Sequence, residues 1–335
     1  MVTIADVARL AGVSVATVSY VLNGTRPVSP ERRQRVLEAI EALGYRPNRV
    51  ARSLRARRTN TIGLIVSNIV SPFYTEIARA VEDVARRHGY SVILCNSDDD
   101  PAKEREYVDL LLGRQVDGLL VAPAPNDQAV LAEVVGIGAP LVLVNRRPAG
   151  IDAPSVTMAS GPATYELIRH LIEHGHRRIG VISGVPGSPS SQDRLEAYER
   201  ALREAGIEPD PRLVRHGHAQ YEGGMAAARE LLQQPGPPTA ICSLGTSMTL
   251  GALVAIREMG LRVPEDVALV GYTDTPWYQV TDPPLTAVAQ PVRRLGELAI
   301  DLLLRSIGGE VQEPQHIALP CEVVIRRSCG CPLRR

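Results

Sequence analysis

The chain of 335 residues carries no net charge, since 37 basic side chains face 37 acidic ones. Taken whole, that balance argues against a nucleic-acid partner. Long apolar runs are also missing. None approaches the roughly 20 residues needed to span a bilayer, and the start Met1-Val2-Thr3 lacks the basic-then-apolar order of a signal peptide. A cytoplasmic protein with no membrane partner is expected. The five cysteines, Cys95, Cys242, Cys321, Cys329 and Cys331, are odd in number and scattered, which excludes a disulfide framework. Cys329-Gly330-Cys331 supplies two soft ligands without a partner pair, too few for a closed tetrahedral zinc site. Exposed or partly buried thiols on a tail, residues 329–335, are the expectation there. No phosphate-loop G-x-x-x-x-G-K, no dinucleotide-binding G-x-G-x-x-G after a strand and no supported catalytic triad are present. Neither an enzyme nor a cofactor is therefore expected.

What is present is unevenly distributed. Residues 1–60 hold eleven arginines against four acids, a balance of +7 that leaves −7 for the remainder. Such asymmetry points to an anion-binding end joined to a separate acidic body. The length suits two or three domains at roughly 100–200 residues each, and 44% hydrophobic with 22% charged residues is ordinary for a globular protein.

At the basic end, Thr3 precedes apolar positions at helical spacing, Ile4, Val7, Ala8 and Ala11, and Gly12-Val13 then breaks the pattern. Ser14 is placed to cap a second helix running 15–22. Two short helices joined by a glycine turn predict a helix-turn-helix, whose second helix enters the major groove. Its exposed residues would be Val15, Ala16 and Tyr20, with Thr17 and Ser19 able to donate to phosphates, while Val18 and Val21 should pack inward. A third helix, capped by Ser29 with Pro30 in its first turn, runs to about residue 43. Gly12-Val13-Ser14-Val15-Ala16 is a near miss to a hydrolase nucleophile elbow, but it does not lie between a strand and a helix.

From residue 62 onward, strand and helix patterns alternate. Apolar runs at 62–66, 92–94, 118–121 and 141–144 read as buried parallel strands, with helical faces such as Ile77, Val81, Val84 and Ala85 between them. A second set of strands is expected at 179–182, 213–214, 240–242 and 267–270, and a last one near 321–326. Two doubly wound parallel-sheet α/β subdomains are the simplest architecture, and a cleft at the carboxyl ends of their strands is the default small-molecule site.

Aromatic residues number only twelve, with a single phenylalanine and a single tryptophan. Phe73 and Tyr74 follow the first body strand and Trp277 follows the strand ending at Tyr272, positions from which a ring can line that cleft. His170-Leu171-Ile172-Glu173-His174 fits H-x-x-E-H, with two histidines one turn apart. No third ligand is identifiable in the sequence, and no metal is expected.

These features resemble the LacI/GalR family of bacterial transcription regulators. The likeness lies in Thr3-Ile4-Ala5-Asp6-Val7-Ala8, Ala11-Gly12-Val13-Ser14, Thr17-Val18-Ser19, Val21-Leu22-Asn23, Gly44-Tyr45-Arg46-Pro47-Asn48 and Ala51-Arg52-Ser53-Leu54. It continues in Ile62-Gly63-Leu64-Ile65, Val116-Asp117-Gly118, Gly175-His176-Arg177-Arg178-Ile179-Gly180, Gly260-Leu261-Arg262-Val263-Pro264 and Pro283-Pro284-Leu285-Thr286, in the family's order along nearly the whole chain. The resemblance implies a homodimer on double-stranded operator DNA, each headpiece reading a half-site, and a periplasmic-binding-protein-like core that senses a small-molecule effector. It implies a helix-turn-helix domain at 1–45 and a hinge at 46–60. The core, 61–328, would divide into one subdomain of about 61–160 and 290–320 and another of about 161–289 and 321–328.

Thr3, Ser14, Val15, Ala16, Thr17, Ser19, Tyr20 and Asn23 would then face DNA. Arg49, Ala51, Leu54 and Arg55 would form a hinge helix docked in the minor groove, with Leu54 as an apolar wedge. Nine residues are too few for such a helix to be stable alone in water. Phe73, Tyr74, Asn145, Arg194, Asp274, Trp277 and Gln290 would line the effector site. Three positions depart from the family's acidic and amide pattern, namely Ala159-Ser160, Gly245-Thr246 and Thr273-Asp274. That leaves open a less hydroxylated, anionic or aromatic effector, or none. A sugar-binding module without a DNA role is the alternative from another class.

Overall fold

The computed structural model describes residues 2–24, 26–45, 58–126 and 128–331. The chain divides into two compact units, residues 1–59 and 60–335.

Among the described residues of the first unit, three helices form where the capping chemistry demands: α1 (Ile4–Ala11), α2 (Val15–Asn23) and α3 (Pro30–Leu43). Thr3 and Asp6 cap α1 reciprocally. The Asp6 amide donates to Thr3 Oγ1, and the Asp6 carboxylate accepts from the Thr3 amide at 2.9 Å and from its hydroxyl at 2.7 Å. Gly12 ends α1 at φ +64°, a left-handed conformation that glycine adopts without a Cβ penalty. Ser14 Oγ then accepts the Thr17 amide proton at 3.1 Å and starts α2. Ser29 occupies the corresponding position before α3, but its side chain makes no capping bond, and Pro30 instead removes one of the amide donors that a cap would serve. One valine from each helix, Val7, Val18 and Val36, is fully buried, with Ala8, Ala11, Val21 and Ala39 around them.

The described residues of the second unit form twelve strands in two six-stranded sheets. In chain order these are β1 (Thr61–Val66), β2 (Ser91–Asn96), β3 (Gly118–Val121), β4 (Leu141–Asn145), β5 (Ser155–Ala159) and β6 (Ile179–Ser183). They continue with β7 (Val214–His216), β8 (Ala240–Ser243), β9 (Ala268–Tyr272), β10 (Thr286–Ala289), β11 (His316–Pro320) and β12 (Glu322–Val324). The first sheet has the order β11-β5-β4-β3-β1-β2 and the second β12-β10-β9-β8-β6-β7. Every pairing is parallel except β10 with β12. Near-continuous burial of β1, β3, β4, β6, β8 and β9 explains why their sequences read as unbroken apolar runs. The strand expected at 213–214 is shifted, because Pro211–Leu213 forms a 3-10 turn that Asp210 caps.

Helices separate the strands: α4 (Pro72–Arg87), α5 (Pro101–Gly113), α6 (Ala129–Gly136), α7 (Ser160–Glu173), α8 (Pro189–Glu204), α9 (Tyr221–Gln233), α10 (Thr246–Glu258), α11 (Trp277–Val280) and α12 (Val292–Ile307). The chain passes between the sheets three times: where β5 meets α7, between β10 and α12, and at Cys321 between β11 and β12. Helix α12 returns to the first sheet beside α4. Gly296 permits the close approach, since a Cβ there would stand 2.8 Å from Ala80 Cβ and 3.0 Å from the Ile77 carbonyl oxygen.

The cysteines of the expected tail are not on a tail. Cys329 is fully buried and Cys331 nearly so, both in the apolar cluster of the second sheet with Leu167, Ile168 and Leu171 of α7. Ser328 anchors this segment by donating to the Leu269 carbonyl at 2.5 Å and accepting from the Thr286 amide at 2.8 Å. Burial pushes the Cys242 and Cys321 thiols up, to about 12 and about 11, which leaves them inert near neutral pH. Among the described residues no single helix is long and apolar enough to cross a membrane.

Candidate ligand cavity and nucleic-acid interface

A cavity of about 430 Å³ lies between the two sheets, and its walls are the segments that follow strand carboxyl ends. Ser67 follows β1, Asp98 and Asp99 follow β2, and Asn145 ends β4 with Arg146 next. From the second sheet come Gly184 after β6, His218 after β7, Leu244 after β8, Thr273 after β9 and Gln290 after β10. The amino-terminal turns of α4, α8 and α10 add Phe73 and Tyr74, Ser190 and Ser191, and Thr246 and Met248.

Backbone strain is concentrated on this rim. Asn145 has φ +66°, and the Arg146 amide donates to the Val144 carbonyl across it at 2.7 Å, a tight three-residue turn of the strained kind. Thr273 has φ +60°, a rare conformation for a β-branched residue. Strain of this sort persists where surrounding structure enforces it, and it clusters at ligand sites.

The polar groups are arranged around a few unmet valences. Tyr74 Oη accepts from Ser67 Oγ and from Asn145 Nδ2, both at 3.2 Å, while buried Asn145 Oδ1 has no partner among the described residues. Arg194 reaches from α8, donates from Nη1 to the Leu244 carbonyl at 2.7 Å and lies over the Tyr272 ring at 4.1 Å from its centroid. Its Nε is buried and without a partner, and among the described residues no carboxylate lies within ion-pair distance of its guanidinium. Gln290 Oε1 accepts from Thr273 Oγ1 at 2.7 Å. Phe73 and Tyr74 meet edge to face, centroids 5.1 Å apart, and form the aromatic wall.

Five of the seven residues expected at an effector site thus line one cavity: Phe73, Tyr74, Asn145, Arg194 and Gln290. Asp274 and Trp277 do not. Both Asp274 oxygens accept from Arg326, at 2.8 and 2.7 Å, and the carboxylate fastens the carboxyl-terminal strand segment. Trp277 opens α11, packs on the outer cluster of the second sheet and meets Tyr278 at 4.3 Å.

Sequence reasoning missed Arg146. It is 6% exposed, donates to the Pro123 carbonyl at 2.9 Å and pairs with Asp99. Burial opposes its charge, but the neighbouring Tyr74 and Asp99 outweigh burial and hold the guanidinium protonated. Its signal was its position, one residue beyond Asn145 at the end of a buried strand.

In the first unit, α2 presents Ser14, Val15 and Ala16 to solvent at its amino end, with Val15 43% exposed. Ser14 Oγ and Thr17 Oγ1 lie 2.9 Å apart, so both hydroxyls help shape the helix start; Ser14 is exposed and Thr17 half-buried. Tyr20, expected to be exposed, is half-buried, with the Arg26 guanidinium 5.4 Å from its ring centre. Ser19 is half-buried, Thr3 is exposed at the start of α1, and Asn23 closes α2. Arg9, Arg26, Arg32, Arg33 and Arg35 are exposed, a cationic surface suited to phosphates. The side chain of Asn23 and the hinge residues Arg49, Ala51, Leu54 and Arg55 lie outside the described residues.

Comparison with known proteins accounts for both units. Residues 3–48 match the family model "Bacterial regulatory proteins, lacI family", and residues 168–329 match "Periplasmic binding protein-like domain". The HTH-type transcriptional repressor PurR of Pasteurella multocida (strain Pm70) is 38% identical over 329 residues, covering 98% of each chain. Catabolite control protein A of Priestia megaterium is 37% identical over 328 residues, 98% of this chain and 99% of its own. Among solved structures, the lac repressor dimer bound to operator and the anti-inducer ONPF superposes with a TM-score of 0.87 at 30% identity, over 98% of this chain and 99% of that one. The complex of the transcriptional regulator CelR with cellobiose gives 0.75 at 35% identity, over 98% and 100%.

Proposed function

Because the chain belongs to the lacI family of bacterial regulatory proteins and is a transcriptional repressor rather than an enzyme, we propose that it binds a pseudo-palindromic operator as a cytoplasmic homodimer and releases or tightens its hold when a small molecule enters the cavity. The observation that carries the effector half of this reading is the pair of unmet valences on opposite walls, Asn145 Oδ1 from the first sheet and Arg194 Nε from the second. A buried polar atom without a partner costs about 1–3 kcal/mol, and a ligand offering a hydroxyl donor to one and an acceptor to the other relieves both. A sugar or sugar derivative has that chemistry, and a carboxylated one also suits the unpaired charge of Arg194.

Such a ligand bridges the two sheets. The chain crosses between the sheets at three places, and a ligand that binds the closed arrangement better than the open one shifts the balance between them. Coupling of about 1–3 kcal/mol is typical of such switches and changes operator affinity about 5- to 150-fold. A thermal-shift screen of sugars, sugar phosphates and sugar acids checks this reading. A ligand at about 100 times its Kd adds about 2.7 kcal/mol to the stability of the folded state. A screen in which no member of these classes raises the melting temperature counts against it.

On the DNA side, Val15 and Ala16 offer apolar contacts rather than the bidentate pairs that specify guanine or adenine. Part of the specificity is therefore assigned to a bent operator centre, into which Leu54 inserts. Leu54→Ala is expected to weaken specific operator binding at least tenfold while leaving binding to random duplex nearly unchanged at the same salt. Fluorescence anisotropy on both duplexes reads the two affinities, and equal losses on both would rule out the wedge.

A further inference from the structure

The fold brings together two motifs that are incomplete in the sequence. His170 of the H-x-x-E-H run lies on α7, and its Nε2 stands 3.4 Å from Cys329 Sγ. Cys331 Sγ is 2.6 Å from Cys329 Sγ, and the three ligand atoms all fall within 4.8 Å of one another. We propose that His170, Cys329 and Cys331 bind one thiophilic divalent cation of the zinc type, which staples the carboxyl-terminal segment to α7.

Tetrahedral zinc with bonds of about 2.3 Å to sulfur and about 2.0 Å to nitrogen needs nitrogen and sulfur about 3.5 Å apart and two sulfurs about 3.7 Å apart. The imidazole and Cys329 already stand at that spacing, and the thiols need only part by about 1 Å through rotation of Cys331. Two thiolates and a neutral imidazole cancel the charge of a divalent ion, and the two thiol protons leave to solvent on binding. Three protein ligands leave the fourth position for water.

The surroundings hold the set in place. Gly330, at φ +73°, turns the chain between the two cysteines, and its amide donates to the Arg327 carbonyl at 3.2 Å. The Arg326 carbonyl accepts from both thiols, at 3.4 and 3.6 Å. His174, the ligand an H-x-x-E-H reading would choose, instead places Nδ1 2.7 Å from the His170 carbonyl, and Glu173 pairs with Arg169. Cys331 also lines a surface cavity with Arg262 and Pro264, which gives an ion its way in.

The test uses the full-length protein, stripped with a chelator under reducing conditions and titrated with Zn²⁺ alone against a chromogenic competitor, then with Co²⁺. The expected result is one ion per chain, with thiolate-to-cobalt charge-transfer absorption and a melting temperature raised by Zn²⁺. His170→Gln, Cys329→Ser and Cys331→Ser should each lower affinity at least tenfold, whereas His174→Gln and Cys95→Ser should leave it unchanged. Substoichiometric binding by the wild type overturns the site. So does an equal loss in His174→Gln and His170→Gln, or a wild type whose two thiols persist as a disulfide under reduction and refuse the ion. The wild-type titration stands even where a variant fails to fold.

Discussion

Replacing Val18 by aspartate should abolish operator binding while leaving ligand binding by the core unchanged. Val18 is fully buried, in one very small core with Val7 of α1 and Val36 of α3. A unit of this size buries too little surface to have stability in reserve. An unpaired buried carboxylate costs several kcal/mol or takes up a proton, and either outcome removes the packing that sets the angle of α2. Operator affinity should fall at least about 100-fold, an effect of about 2.7 kcal/mol. Val18→Ala is the graded control, expected to cost about 1–3 kcal/mol of headpiece stability with a smaller loss of binding. Because residues 1–59 and 60–335 are separate compact units, the main thermal transition of the core should be unmoved. Full operator affinity in Val18→Asp would show that α2 does not read DNA from this packing.

Arg194→Met should remove the effector response with the opposite signature. Methionine keeps a long apolar stem over the Tyr272 ring but loses the guanidinium that donates to Leu244 at 2.7 Å and presents an unpaired Nε. A hydrogen bond from a charged group is worth about 1.5–3 kcal/mol, so losing the one from Nε to the ligand predicts a fall in ligand affinity of at least about tenfold. Operator affinity without ligand should stay within twofold of wild type, because the side chain lies on the cavity wall. Calorimetry with the best ligand of the thermal screen reads the first quantity and anisotropy the second. Unchanged ligand affinity would move the site away from Arg194.

The parts of this molecule that the sequence disclosed are those governed by local chemistry. Thr3, Gly12 and Ser14 announce three helix boundaries because a cap needs only residues within three positions of it. The runs at 62–66 and 141–144 announce buried strands because both faces of a parallel sheet are covered. Strands β5, β10 and β11 were not anticipated. Only alternate residues of β11 are even half-buried, and β5 contains Thr157 among its apolar residues, so neither forms a continuous run.

What the sequence concealed depends on distant partners. Asp274 reads as a cleft carboxylate until Arg326, 52 residues on, claims both its oxygens. Arg146 looks like a solvated charge until Asp99, in the segment that follows β2, is brought beside it. Cys329 and His170 are 159 residues apart, and neither motif contained a sign of the other. The balanced net charge misled for the same reason: a sum over the chain erases the separation between an arginine-rich first unit and an acidic second one.

This chain is an operator-binding repressor of the lacI family. The most direct test of that role is the affinity of the full-length protein for a selected operator and for a scrambled duplex, measured across salt concentrations from about 50 to 200 mM. Operator binding should be at least about 10³-fold tighter than scrambled binding. Both affinities should fall linearly in log–log form, with slopes reflecting about 6–10 neutralised phosphates for a dimer. Equal affinity for the two duplexes, or binding indifferent to salt, would contradict that role.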